Sequence, residues 1–171
     1  MTFFNFSRGL ALTFAIGICA SFAAAAAQER WATYTNPRFG TIADYPADIF
    51  TVRDPPPENG DGQSFHSSDG RAQLSIYGKH NAEGDTPQSY LEKYVDLQGV
   101  SYRRTMERFY VISGTREGDI FYERCNFPEN RDGIIDCVGV SYPAREKLAW
   151  DPIVKRLSKS LRAGRGIEPR Q

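Results

Sequence analysis

The run Ile120-Phe121-Tyr122-Glu123-Arg124-Cys125-Asn126-Phe127-Pro128-Glu129-Asn130-Arg131-Asp132-Gly133-Ile134-Ile135-Asp136-Cys137-Val138-Gly139-Val140-Ser141-Tyr142 decides the fold. Its two ends, Ile120–Asn126 and Ile134–Tyr142, are rich in β-branched and aromatic residues and read as strands. Glu129–Gly133 between them is polar and turn-forming. If the strands pair about Arg131, Cys125 lies opposite Cys137. A tight Asp132-Gly133 turn is the competing register; it sets Cys125 against Val140 and parts the thiols. Pro128 has no N–H for a ladder bond and favours the longer loop. The expectation is a hairpin closed by a Cys125–Cys137 disulfide, which by chain entropy contributes about 3 kcal/mol. No Cys-x-x-Cys is present and nothing marks either sulfur as a low-pKa thiolate, so a redox-catalytic role is set aside.

Strand signals also precede this hairpin. Trp31–Thr35 and Phe39–Tyr45 flank a turn at Asn36-Pro37. Gln63–Ser67 and Ala72–Gly78 flank Ser68-Asp69-Gly70, and Ala72, Leu74 and Ile76 alternate with polar partners, the period of a half-buried strand. Tyr102–Ser113 is long, and its end is apolar on both faces, which predicts a central strand. Thr115–Asp119 reads as a turn. Two helices are predicted. The first is capped by Thr86, starts at Pro87, carries Tyr90, Leu91, Tyr94 and Val95 on one face, and closes at Gly99. The second is capped by Asp151, starts at Pro152, carries Ile153, Val154, Leu157 and Leu161, and ends at Gly164. Hairpins dominate and no Gly-rich βαβ unit occurs. The fold class is α+β: an antiparallel β-sheet with helices packed on its faces.

Outside this unit, residues 1–27 read as a signal peptide: Arg8, an apolar run from Leu10, and an Ala-x-Ala exit with cleavage between Ala27 and Gln28. A retained anchor is the alternative, since the run approaches the spanning minimum of about 17 residues. It ends in weakly apolar alanines, however, and lacks a basic stop-transfer cluster. A lipoprotein reading of Cys19 founders on Ile18, where a small residue is needed. The expectation is a periplasmic or secreted protein with residues 28–164 as a single domain and 165–171 as a disordered tail. No second segment can span a membrane, so the cleaved chain is not expected to be an integral membrane protein. The 171-residue chain balances 21 basic against 21 acidic residues, which gives no field to draw nucleic acid.

Residues able to carry chemistry are sparse. His66, in Gln63-Ser64-Phe65-His66-Ser67-Ser68-Asp69-Gly70, places Ser, His and Asp side by side. A catalytic triad converges from separate elements, though, and no Gly-x-Ser-x-Gly elbow exists. The segment Glu58-Asn59-Gly60-Asp61-Gly62 looks like part of a calcium loop without its later ligands. Asp61, His66 and Asp69 are the weak ligand candidates, each with a turn or hairpin role as its plain alternative. No catalytic residue, cofactor or metal site is nominated. Trp31, Tyr34 and Tyr77 are expected as surface aromatics.

Across most of the mature chain the pattern resembles PsbP-like domains. The carrying residues are Tyr34-Thr35-Asn36, Phe39-Gly40 and Tyr45-Pro46, with Gly60-Asp61-Gly62, Phe65, Ser141-Tyr142-Pro143 and the closing helix Ile153–Leu161. Small exported bacterial proteins share it. The resemblance implies an α-β-α sandwich around an antiparallel sheet. Members act as extrinsic accessory subunits of a photosynthetic complex or bind a GTPase in nuclear transport, and none of their functional residues carries over. The leading expectation is an exported, non-catalytic accessory or binding domain for a protein or envelope component. The alternatives are a small-ligand or calcium-binding module at the Glu58–Gly62 and Ser67–Gly70 loops, and an envelope hydrolase around His66 and Asp69.

Overall fold

The computed structural model describes residues 30–129 and 133–167. The expected signal peptide and its cleavage site, the loop apex at Arg131 and the last four residues lie outside them. Along the chain run β1 (Trp31–Thr35), β2 (Thr41–Pro46), β3 (Val52–Arg53), β4 (Gly62–His66), β5 (Gln73–His80), α1 (Pro87–Tyr94), β6 (Val100–Met106), β7 (Phe109–Arg116), β8 (Asp119–Asn126), β9 (Ile134–Pro143), α2 (Lys147–Ser160) and β10 (Arg162–Ala163). A 3₁₀ turn, Ala144–Glu146, leads into α2.

Seven strands form one antiparallel sheet in the order β3-β4-β5-β9-β8-β7-β6, and β1-β2-β10 form a second. β9 is central and buried on both faces. Its Ile135 and Cys137 join Tyr110, Ile112, Cys125 and the α1 residues Tyr90 and Leu91 in one core. On the opposite face Val138, Val140 and Tyr142 pack with Leu74, Ile76 and the α2 residues Trp150, Ile153, Val154 and Leu157 in the other. The three-stranded sheet shares that second face through Tyr34 and Ala43. Among the described residues no helix is long and apolar enough to cross a membrane.

The cysteine hairpin takes the register centred on Arg131. Cys125 pairs with Cys137 across the ladder, and the two are joined by a disulfide with Cα atoms 4.2 Å apart, close to the spacing of a non-hydrogen-bonded antiparallel pair. α1 begins as expected. Thr86 Oγ1 accepts from the Ser89 N–H and Ser89 Oγ accepts from the Thr86 N–H, a reciprocal cap with serine in place of the usual acid.

Three expectations fail for identifiable reasons. Tyr102–Ser113 is not one central strand but a hairpin, β6 and β7, turning at Glu107-Arg108 between the paired Met106 and Phe109. That turn carries no Gly, Asn or Pro, so nothing in composition marks it. α1 ends at Tyr94, where Val95 turns extended. Gly99 lies beyond, in the bend before β6, with φ +75°. There a Cβ would come within 2.4 Å of the Thr115 carbonyl. α2 starts at Lys147 and holds Pro152 inside it. Asp151 accepts a salt bridge from Lys147 at 2.8 Å instead of capping. The upstream turn is fixed by Trp150, buried and stacked on Tyr142 with ring centroids 4.7 Å apart. Trp150 extends the stripe of Ile153, Val154 and Leu157 backwards at helical spacing.

Two stability outcomes follow. Refolding under reductant, so that Cys125 and Cys137 stay as thiols, lowers the unfolding free energy by about 3 kcal/mol, read from denaturant curves with and without reductant. Trp150→Ala costs about 3–5 kcal/mol by the same measurement.

Candidate functional site

α1 is eight residues long, about 12 Å at 1.5 Å per residue, too short to cover its face of the seven-stranded sheet. Past its end the face stays open as a cleft of about 510 Å³. Tyr90 and Tyr94 wall it from the helix, and Tyr77, Lys79, Glu123 and Gly139 are among the residues of its floor. Strand alternation puts Phe121, Glu123 and Cys125 on one face of β8, so a carboxylate stands in line with the disulfide. Opposite Glu123 in the register is Gly139. A Cβ built there meets nothing nearer than Tyr122 O at 3.9 Å and Glu123 Oε2 at 4.0 Å. The missing side chain therefore leaves the carboxylate open to the cleft.

Tyr110 donates to Glu123 Oε1 at 2.6 Å, and Tyr77 donates to Oε2 at 3.3 Å. Burial, then the adjacent Glu123 charge, pushes both phenols well above their ordinary range. At neutral pH both phenols are therefore neutral donors to the carboxylate. Lys79 Nζ hydrogen-bonds the Tyr90 hydroxyl and lies 4.7 Å from that ring's centroid. At the rim, Arg116 packs over Phe121 and bonds the Asp96 and Gln98 carbonyls at 2.7 and 3.0 Å, which holds the loop after α1. The cleft thus offers phenolic donors, one carboxylate and one ammonium on an aromatic wall, a set suited to binding.

The residues nominated from sequence lie elsewhere and apart. Asp61 precedes β4 and His66 ends it, about 17 Å away along the strand. His66 Nε2 contacts Asp54 Oδ2 at 2.9 Å, not Asp69. Asp69 accepts from Ser67 Oγ at 2.7 Å and from Arg71 Nε at 2.7 Å, and these bonds, the Ser67 one foremost, hold its carboxyl down at about 2. Arg71 also pairs with Glu146, tying the β4–β5 turn to the start of α2. In the Glu58–Gly62 loop, Asp61 Oδ2 accepts from the Asn59 side chain at 2.8 Å, while Asn36 Nδ2 donates to the Gly60 carbonyl at 2.9 Å. Among the described residues no three His, Cys, Asp or Glu side chains group so as to hold a metal ion. Of the expected surface aromatics, Tyr34 is buried in the core, Trp31 is half-buried with Arg156 4.0 Å above its ring, and Tyr77 lines the cleft. Glu123, Tyr110 and Lys79 were not foreseen. Their one sequence signal is a charge sharing the disulfide face of Ile120–Asn126.

The fold has a solved counterpart. Cyanobacterial PsbP (CyanoP) from Synechocystis sp. PCC 6803 superposes with a TM-score of 0.56 over 87% of this chain and 99% of that one, at 11% sequence identity. The chain has a PsbP-like fold. No family model matches its sequence, and no curated protein does. The Tyr-x-Asn, Phe-Gly run that carried the resemblance is structural here. Asn36 is fully buried, and its Oδ1 accepts from the Phe39 N–H at 2.6 Å while its amide reaches the Gly60 loop.

The shifted groups imply two limbs of pH dependence. The folded-state phenol pKa values of Tyr77 and Tyr110 are raised, so their contribution is present below the unfolded value of about 10 and is lost as pH climbs above it. Tyrosinate absorbance in the folded protein rises late, and Glu123→Gln brings the Tyr110 step to lower pH. Asp69 and Glu146 are lowered, so their contribution is present above the ordinary carboxylate range and fades as pH falls through about 4 towards 2. Arg71→Ala shrinks that acid limb in a melting-temperature series against pH, because Glu146 loses its main partner while Asp69 keeps the Ser67 hydroxyl and a backbone N–H.

Proposed function

We propose that this protein is an exported, non-catalytic accessory or binding domain, periplasmic or secreted, whose protein or envelope partner seats in the cleft beside α1. The observation that carries the reading is the Tyr77–Glu123–Tyr110 arrangement facing the open space above Gly139. Two phenols kept protonated and a fixed carboxylate make a preorganised hydrogen-bonding surface on an aromatic wall. The disulfide fits an oxidising compartment. The layering is read as an α-β-α sandwich in which α1 forms one outer layer and α2 with the three-stranded sheet the other. The two cores on opposite faces of β9 support this. His66 and Asp69 are each engaged in local pairs, which favours binding over hydrolysis.

Gly139→Val tests the cleft. Valine suits a strand, and the added methyls enter open space, so the melting temperature holds. Capture from an envelope extract by the immobilised wild-type protein is expected to yield a specific partner that the variant loses. A folded variant retaining the same captured set removes the cleft from the function.

A further inference from the structure

We propose that the free edge of β6 is a docking site for an acidic, extended segment of a partner protein, which adds a further strand to the seven-stranded sheet. β6 ends that sheet and pairs only with β7 among the described residues. Its other side presents backbone N–H and C=O groups, a template for an incoming strand. Edge strands are commonly blunted by shortness, proline, a bulge or charge, and charge repels like copies while leaving the edge open to a segment of opposite sign. β6 has seven residues without proline. Its one irregularity lies between Val100 and Tyr102, and pairing is regular from Tyr102 to Met106. Tyr102 and Met106 are about half exposed, at 51% and 48%.

What the edge does carry is charge. Arg103 pairs across the ladder with Ile112 and so lies on the α1 face, and Arg104 pairs with Val111 and lies on the α2 face. Arg104 and Arg124 both approach the Phe109 ring, at 5.8 and 4.2 Å. Beyond them Arg124, Lys155 and Lys159 line the hollow between α2 and the sheet. None of these five cations forms an ion pair among the described residues. Of the acids nearby, Glu123 stands in the Arg103 row two strands further in and is held by Tyr110 and Tyr77, Asp151 is held by Lys147, and Glu107 sits in the β6–β7 turn. The whole chain is formally neutral, so this is a local concentration of positive charge.

Charge also selects the occupant. A second copy pairing antiparallel through the middle of β6 would set arginine against arginine, which is destabilising. An acidic strand removes that repulsion. Consecutive side chains alternate faces, so two adjacent carboxylates in the incoming strand meet Arg103 on one face and Arg104 on the other. Apolar neighbours cover Tyr102 and Met106.

The test uses two synthetic peptides, acetyl-TVEDVTV-amide and its charge-reversed partner acetyl-TVKRVTV-amide, titrated into the protein and followed by amide chemical shifts. The acidic peptide is expected to shift the β6 amides, to bind at least ten-fold tighter than the basic one, and to weaken as salt rises. The double variant Arg103→Glu, Arg104→Glu is expected to reverse the preference. Gly139→Val, which blocks the α1 cleft, is expected to leave it unchanged, and this separates the edge from the cleft. Equal affinity for both peptides, or shifts confined to residues away from β6, overturns the proposal. The wild-type comparison decides the matter even if the double variant does not fold.

Discussion

β9 must be satisfied on two sides at once. Ile135 and Cys137 belong to the core under α1, and Val138, Val140 and Tyr142 to the core under α2. A strand buried on both faces cannot slip by one residue without exchanging the two sets. Such a slip would also part Cys125 from Cys137. The disulfide and the two-sided burial therefore specify the same register, and β5 and β8, which flank β9, inherit it. Helices and small sheet alike pack on surfaces whose composition that register determines.

The site is a product of unequal covering. α2 and the three-stranded sheet together cover the middle of one face, whereas on the other the chain enters α1 at the Thr86 cap and leaves the helix at Val95 before it spans the sheet. The uncovered strip is where small and polar residues such as Ser75, Gly139 and Ser141 occupy the floor. Burying Tyr77 and Tyr110 beside a carboxylate is tolerated because each phenol keeps its proton and gives it to Glu123 as a hydrogen bond. Polarity there is organised, not merely exposed.

Much of this architecture was legible because local signals agreed with one another. The Thr86-Pro87 start, the alternation of Leu74 and Ile76, the cysteine register and the α+β class all rest on patterns a few residues long. The misses share a physical origin as well. The Glu107-Arg108 turn is imposed by pairing between β6 and β7 and not by its own residues. Pro152 suggested a helix start, yet the stack of Trp150 on Tyr142 stabilises a turn further upstream. The nominated residues Asp61, His66 and Asp69 drew notice by adjacency in sequence. The cleft joins residues from β5, α1, β7, β8 and β9, and only alternation along Ile120–Asn126 hinted at one of them.

The disulfide lies in the core between the sheet and α1, with Cys125 and Cys137 at 0% and 1% exposure. Thiol exchange needs an attacking thiolate to reach sulfur, so neither oxidant nor reductant can act on this bond while the core is shut. Oxidation has to come before Tyr90 and Leu91 close over the pair, or await an opening of the sheet. The bond is thus a memory of the surroundings in which the chain first folded, and is insulated from those it meets afterwards.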